Sequence, residues 1–302
     1  MAVFRGAWTT LIESLAARGE SEMTRELCET AVRHGVWNDP LQRPGLHFVP
    51  TAPAIPIHDA GAFWFTPLLE DAYPQIRTEV DAVTDAKRYG FMPVEQQILA
   101  YGRWEQVVFY DNGVRFQRPA DLFPAIANTL DEINRRMPLP GLASLLCLSP
   151  GSRVAPHCGH TNSRLRVHLG ISVPEGAGLR VRDRIVTWQE GKVLVFDDSF
   201  EHEVWNHGKT ARIILLFDIL NPAVPDAFKA EDDLRQRSFD DKVRAFMAES
   251  HLKRIERSQD PEGVTAVLDD ATAKAVARYL RHADIKTVEL RGGEVFIEYG
   301  DA

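Results

Sequence analysis

The stretch SRLRVHLGISV (163–173) decides how this chain folds. Its apolar residues Leu165, Val167, Leu169, Ile171 and Val173 alternate strictly with Arg164, Arg166 and His168. Successive side chains of a strand point to opposite faces, so this pattern predicts a β-strand with one apolar and one basic face. Further runs of strand character lie at 142–148, 178–188, 191–197 and 211–220, separated by Gly, Pro, Asn or Asp and by no segment of helical period. Many short strands without intervening helices imply antiparallel sheets, arranged as a sandwich or barrel. Upstream, WEQVVFY (104–110), the turn Asp111-Asn112-Gly113 and Val114-Arg115-Phe116 predict a hairpin, because Asn-Gly tolerates positive φ. A helix is expected around 121–136, between that hairpin and the strand-rich region.

Both flanks differ from this centre. Trp8, Leu11, Ile12 and Leu15 recur at helical spacing; after a break at Arg18-Gly19-Glu20, Ser21 is the expected N-cap of a second helix through Met23, Leu27 and Ala31, ending at Gly35. Six of the eighteen prolines fall between Val36 and Pro67, which predicts an extended, surface-wrapping connection. Thr66-Pro67 then supplies an N-cap and first residue for a helix carrying Leu68, Leu69, Ile76, Val80 and Val83, with Pro74 expected to kink it or mark its true start. Beyond Asn221-Pro222 and Pro225 the chain turns charged and helical (229–257). A break at Pro261-Glu262-Gly263 precedes another helix with Val264, Val267, Leu268, Ala275, Val276 and Leu280, and a hairpin on Gly292-Gly293 closes the sequence. The expected division is a helical segment (1–35), a central domain (36–225) and a small C-terminal α/β appendage (226–302).

Composition narrows the function. The 302 residues, 44% hydrophobic and 26% charged, suit a globular chain with one large core or two small ones. Thirty-five Lys+Arg against 43 Asp+Glu give a formal charge of −8, which argues against nucleic acid or an anionic membrane surface as main partner. Cys28, Cys147 and Cys158 are too few for a disulfide framework, so a reducing, cytoplasmic compartment is expected. No apolar run approaches the roughly 20 residues of a membrane span. The first twenty residues carry charge where a secretory signal needs an apolar core.

Five of the ten histidines (157, 160, 168, 202, 207) fall within one stretch of the sequence. The basic face of 163–173 alone would read as a solvated surface. His157 just upstream of that strand, and His202 after the apolar KVLVF of KVLVFDDSFEHEVW (192–205), change the reading. Imidazoles converging on a rigid barrel bind divalent transition metals readily. His160, His207, His251 and His282 read as structural or exposed. Cys158 has no CxxC partner, which disfavours structural zinc. Arg212 opens ARIILLFDIL, a strand buried on both faces, where a guanidinium requires an anionic partner. Two partners satisfy that requirement: Asp218 or another internal acid, or a small dicarboxylate clamped bidentately.

PHCGHTNSRLRVHLGISVP (156–174) with GKVLVFDDSFEHEVWN (191–206) resembles the catalytic signature of the aspartyl/asparaginyl β-hydroxylase family of Fe(II)- and 2-oxoglutarate-dependent oxygenases. The similarity begins at GVWNDPLQR (35–43) and runs to about Pro222. It implies a distorted double-stranded β-helix: a mainly β, jelly-roll, cupin-like core with flanking helices. It also implies that His157 and His202 bind iron, that Arg212 binds 2-oxoglutarate with support from Arg166 and His168, that Arg164 and Gln106 contact an acidic substrate, and that Asp198 lies near the metal's water.

Where related oxygenases carry a third, carboxylate ligand two residues after the first histidine, this chain has Gly159, as the resembled family does. Where the family has a serine contacting 2-oxoglutarate, this chain has Leu146; Ser144, on the same strand face, is the expected substitute. The family's additional substrate arginine has no counterpart upstream of RWEQ. The resemblance thus implies an Fe(II) enzyme using 2-oxoglutarate and O2 to hydroxylate an unactivated carbon, most simply the β-carbon of an aspartyl or asparaginyl unit that is free, peptidyl or carrier-bound. The alternatives are a radical halogenase, whose halide would use the room at Gly159, and a non-catalytic cupin-like sensor of a metal or small acid.

Overall fold

The computed structural model describes residues 2–225 except 46, 84, 87, 95–97 and 112–113, and beyond them only 266–267, 285–291 and 294–299. The chain begins with α1 (Ala2–Ala17) and α2 (Ser21–Arg33), then β1 (Ile57–His58), a short 3-10 turn and α3 (Phe65–Asp81). Next come β2 (Met92–Pro93), β3 (Leu99–Tyr101), β4 (Trp104–Asp111), β5 (Val114–Arg115), α4 (Gln117–Leu122) and α5 (Pro124–Arg136). The centre is β6 (Ala143–Leu148), β7 (Ser152–His157), β8 (Arg164–Ser172), β9 (Ala177–Val181), β10 (Arg184–Val186), β11 (Val193–Phe196), β12 (His202–Asn206) and β13 (Arg212–Leu220).

These eight central strands are shared between two antiparallel sheets. One sheet runs β1-β11-β8-β13-β6-β4-β2, with β5 on β4; the other runs β10-β9-β12-β7-β3. The order β6-β13-β8-β11 facing β7-β12-β9-β10 is the double-stranded β-helix, with β1 to β5 extending it. The strand at 163–173 becomes β8, paired with β11 on one side and β13 on the other.

The alternation of β8 now has a physical meaning on both faces. Val167 and Leu169, with Leu215 and Phe217 of β13, pack against Phe65, Leu69 and Ile76 of α3 and Ile126 and Leu130 of α5. Each such fully buried side chain contributes about 1.5–3 kcal/mol relative to exposure. The opposite face looks into the barrel, where Leu146, Leu148, Phe196, Ile214 and Leu216 meet Leu179, Val181 and Val204 of the second sheet. Arg166 and His168 point into this interior, so the basic face is internal and not a solvated surface.

Several expectations are corrected. Ser21 is the first residue of α2 and not its cap; the capping position is Glu20, without a side-chain bond. α3 starts at Phe65, ahead of Thr66-Pro67, and the Thr66 hydroxyl donates back to Ala60 O. Pro67 therefore sits in the first turn, where its missing N–H has no helical partner to lose, and Pro74 lies within the helix. The proline-rich connection is irregular, broken by turns and a short 3-10 helix (Ala60–Ala62), and partly interior: Trp37, Phe48 and Val49 are buried, Gln42 bonds Asp197 and Ser199, and Asn162 holds Val49 by both backbone groups. The helix expected at 229–257 lies outside the described residues. The one expected through Val264, Val267 and Leu268 is corrected at 266–267, where β14 (Ala266–Val267) pairs with β16 (Glu294–Tyr299) in an antiparallel sheet completed by β15 (Ile285–Arg291). Among the described residues, no helix is long and apolar enough to cross a membrane.

Candidate active site

β7 and β12 are neighbours, and their register sets His157 opposite His202. The imidazole centres lie 4.1 Å apart, with the rings inclined at 52°. His157 Nδ1 lies 2.8 Å from Ala155 O and His202 Nδ1 2.9 Å from Phe200 O. A carbonyl oxygen only accepts, so each ring carries its proton on Nδ1 and keeps the Nε2 lone pair for another partner. Metal-ligating histidines are oriented in this way by a carbonyl behind the ring. Burial pushes His157 down to about 4, and burial with the neighbouring His157 holds His202 well below its ordinary value. Both rings are neutral at pH 7, the state in which imidazole binds a metal.

The two histidines line a cavity together with Trp104, Arg166, His168 and Arg212, against apolar walls that include Leu146, Val154 and Val204. Arg212 is 2% exposed and, among the described residues, no acidic side chain pairs with it. Its guanidinium carbon lies 4.8 Å above the Trp188 ring, and burial lowers its pKa to about 10, which leaves it charged at pH 7. Asp218, the internal alternative, is taken by Arg166, whose Nε and Nη2 donate to it at 3.0 and 3.3 Å. Arg166 Nη1 also lies 2.9 Å from Asp198, so this guanidinium is held between two buried acids. They keep Arg166 protonated despite its burial, and burial pushes Asp198 upward.

Three buried nitrogens on cavity residues have no hydrogen-bond partner among the described residues: Arg212 Nε, His168 Nε2 and Trp104 Nε1. Unpaired buried polar groups are rare and call for a ligand or water. A cationic donor flanked by two further donors matches a small anion with several acceptor oxygens. The donor set therefore fits both groups implied by the resemblance: a divalent metal at the imidazole pair and a dicarboxylate at Arg212.

The remaining expected site residues are more dispersed. Ser144 is buried on the inward face of β6, and its hydroxyl donates to Gln106 Oε1 at 3.4 Å; neither lines the cavity, whereas Leu146 does. Arg164 lies one inward position beyond Arg166, in register with Leu220 and close to Gly141 and Asp218. A Cβ placed on Gly159 would lie 2.5 Å from Asp198 Cγ, so the Asp198 carboxyl occupies the room beside that glycine. Among the described residues no group of three or more His, Cys, Asp or Glu side chains converges as a metal set. His207 stacks on Trp205, away from the site; His251 and His282 lie outside the described residues. Sequence reasoning passed over two tryptophans. Trp104 shares the inward face of β4 with Gln106, so alternation could have found it; Trp188, in a loop, leaves no periodic signal.

The architecture and its interior define a class: a double-stranded β-helix protein offering a paired-imidazole centre beside a buried, uncompensated arginine. Within that class the chain belongs to the aspartyl/asparaginyl beta-hydroxylase family, whose model matches residues 70–222. It is 36% identical over 156 residues to human aspartyl/asparaginyl beta-hydroxylase, covering 51% of this chain and 21% of the human protein. It is 32% identical over 179 residues to the ornithine lipid ester-linked acyl 2-hydroxylase of Rhizobium tropici, covering 55% of this chain and 61% of that protein. The chain thus matches between about a fifth and three fifths of these relatives' lengths. Among solved structures, a Pseudomonas putida prolyl-4-hydroxylase superposes with a TM-score of 0.34 at 14% identity, covering 49% of this chain and 88% of that one.

Proposed function

We propose that this chain is an Fe(II)- and 2-oxoglutarate-dependent hydroxylase, its catalytic unit lying within residues 36–225. One observation carries the reading: the imidazole pair of His157 and His202 and the uncompensated Arg212 line the same cavity. His157 and His202 would hold the iron, and Arg212 would take the distal carboxylate of 2-oxoglutarate, with His168 and Trp104 as further donors. Bound iron with 2-oxoglutarate and O2 supplies the oxidising power that turns an unactivated C–H into C–OH, with succinate and CO2 as co-products.

The protein's part is placement. Arg212 presents a planar, permanently charged fork that fits a carboxylate bidentately, and its burial excludes competing water. Arg166, anchored to Asp218, holds the Asp198 carboxyl against Gly159 and sets an acceptor where a side chain at 159 would project. That acceptor suits the protons of a water. A halide there would face a carboxyl oxygen in place of a hydrogen-bond donor, so the arrangement favours hydroxylation over halogenation.

The relatives' names point to one kind of carbon. The β-carbon of an aspartyl or asparaginyl unit and the 2-position of an acyl chain both adjoin a carbonyl carbon. The proposed substrate is a small molecule, peptide or carrier-bound unit with such a position, aspartyl or asparaginyl in the first instance. Misplacement by about 1 Å would reduce the rate on the order of a hundredfold.

Anaerobic addition of Fe(II) and 2-oxoglutarate tests the site through a visible charge-transfer absorption. The wild type is expected to show it, and His202→Ala and Arg212→Ala to lose it; an unchanged band in both variants rejects the site. Admission of O2 should yield succinate, which a mere sensor would not form. In chloride buffer the product of a screened substrate library should gain oxygen, and a chlorinated product would overturn the hydroxylase reading.

A further inference from the structure

Trp188 belongs to no strand; it lies in the loop joining β10 to β11. Gly170, on the inward face of β8 in register with Ile214, explains how that loop reaches the interior. A Cβ on Gly170 would fall 2.4 Å from the backbone oxygen of Gln189, so the loop lies flat against the strand only where no side chain stands. Gly191 N donates to Gly170 O at 2.9 Å, and Gly170 N to Lys192 O at 3.2 Å. The neighbouring indole is driven inward and is 3% exposed.

There it touches two cavity residues without lining the cavity itself. Its Nε1 donates to His168 Nδ1 at 3.0 Å, and its face carries the Arg212 guanidinium at 4.8 Å. An indole N–H is a donor only, so His168 Nδ1 must accept and the ring proton must reside on Nε2. That Nε2 is buried and has no partner among the described residues. His168 is enclosed next to Arg212, and both burial and that cation favour the neutral ring. A neutral imidazole with Nδ1 committed as acceptor offers one thing to the cavity, an Nε2–H donor.

We propose that Trp188 is the positioning residue of the 2-oxoglutarate subsite, fixing His168 as the Nε2–H tautomer and seating the Arg212 guanidinium, so that two donors meet the ligand already aligned. The proposal rests on the cosubstrate reading above and adds to it the residue that organises the subsite from behind. Preorganised donors gain affinity because no ordering remains to be done on binding. Trp188→Phe keeps a ring beneath Arg212 but removes the N–H, freeing His168 to exchange its proton between nitrogens.

Nitrogen-15 NMR of the imidazoles of the metal-free wild type, with His168 assigned through His168→Gln, should show the Nε2–H tautomer. A proton on Nδ1 overturns the proposal without any Trp188 variant. The anaerobic charge-transfer band then measures binding as 2-oxoglutarate is titrated into the Fe(II)-loaded protein. Trp188→Phe is expected to raise half-saturation about tenfold, the effect of one lost buried hydrogen bond, and to raise KM for 2-oxoglutarate more than it lowers kcat. Gly170→Ala, which displaces the loop and keeps the tryptophan, should act in the same direction. Wild-type half-saturation in both of these variants, alongside a lost band in Arg212→Met, refutes the role of Trp188 and leaves the cosubstrate reading standing. Undiminished binding in Arg212→Met refutes the cosubstrate reading itself.

Discussion

The two sheets of the barrel share one interior and differ in everything else. The sheet containing β8 and β13 is covered outside by α3 and α5, so its strands are apolar on that face, while its inner face mixes Leu146, Phe196, Ile214 and Leu216 with Arg166, His168 and Arg212. Among the described residues, no helix covers the outer face of the sheet of β7, β9 and β12 as α3 and α5 cover the other, and that face carries a ladder of charge. Arg180 pairs with Glu203 at 2.7 Å and Glu201 at 2.9 Å, Arg43 with Glu201 at 2.7 Å, and Arg153 with Glu203. Each sheet supplies half of the proposed site. The polar sheet presents the imidazole pair, and the apolar sheet buries the arginine. A ligand that needs a metal and a carboxylate clamp is thus approached from two sides by elements stabilised by different physics.

The largest expected effect comes from exchanging Arg212 for methionine. The cosubstrate should lose about 2–5 kcal/mol of binding, roughly thirtyfold or more, while the melting temperature rises because an unpaired buried charge gives way to apolar packing. A lowered melting temperature with retained binding would show Arg212 to be structural. His202→Ala should abolish iron retention after gel filtration, measured by metal analysis, with the apolar sheet intact by circular dichroism. Third comes Gly170→Ala, whose overlap with a backbone oxygen is expected to destabilise by about 1–3 kcal/mol, read from the urea midpoint.

The charge ladder should matter least. Glu203→Gln is expected to remove about 1 kcal/mol, since Arg180 keeps its pair with Glu201 and Arg153, 42% exposed, is screened by solvent. That loss should shrink in high salt and leave the charge-transfer band in place. The ladder also sets a pH dependence. Burial alone would raise Glu201 and Glu203, but their arginine partners prevail and hold both below the ordinary carboxylate value of 4.5. Their stabilisation is therefore complete above about pH 4.5 and is lost as the pH falls through the lower folded values. Urea midpoints across pH 6 to 3 should fall less steeply for Glu203→Gln than for the wild type.

The same contrast explains which strands were legible. β6, β8, β11 and β13 fall inside runs expected from apolar pattern, and 178–188 holds the β9–β10 hairpin. β7 and β12 were passed over, and these are the strands bearing His157 and His202. On β12 the inward residues are His202, Val204 and Asn206, so one of three is a hydrophobic side chain. Asn206 is tolerated inside because its Nδ2 donates to Leu148 O and Thr210 O, partners from elsewhere in the chain. At the proposed site polar side chains stand where apolar ones would, and that replacement erases the pattern by which a strand is recognised.

By itself the sequence determined the antiparallel β class, the two histidines and the buried arginine, because alternation and apolar runs are local properties. The motifs carried the family. Only the tertiary structure decided which acid Arg212 would meet. Asp218 lies six residues along the same strand, yet register sets it beside Arg166, so that among the described residues Arg212 meets no acid and lies above Trp188. Pairing depends on strand register and on a loop admitted by Gly170, both of which are long-range consequences of packing that no local pattern encodes.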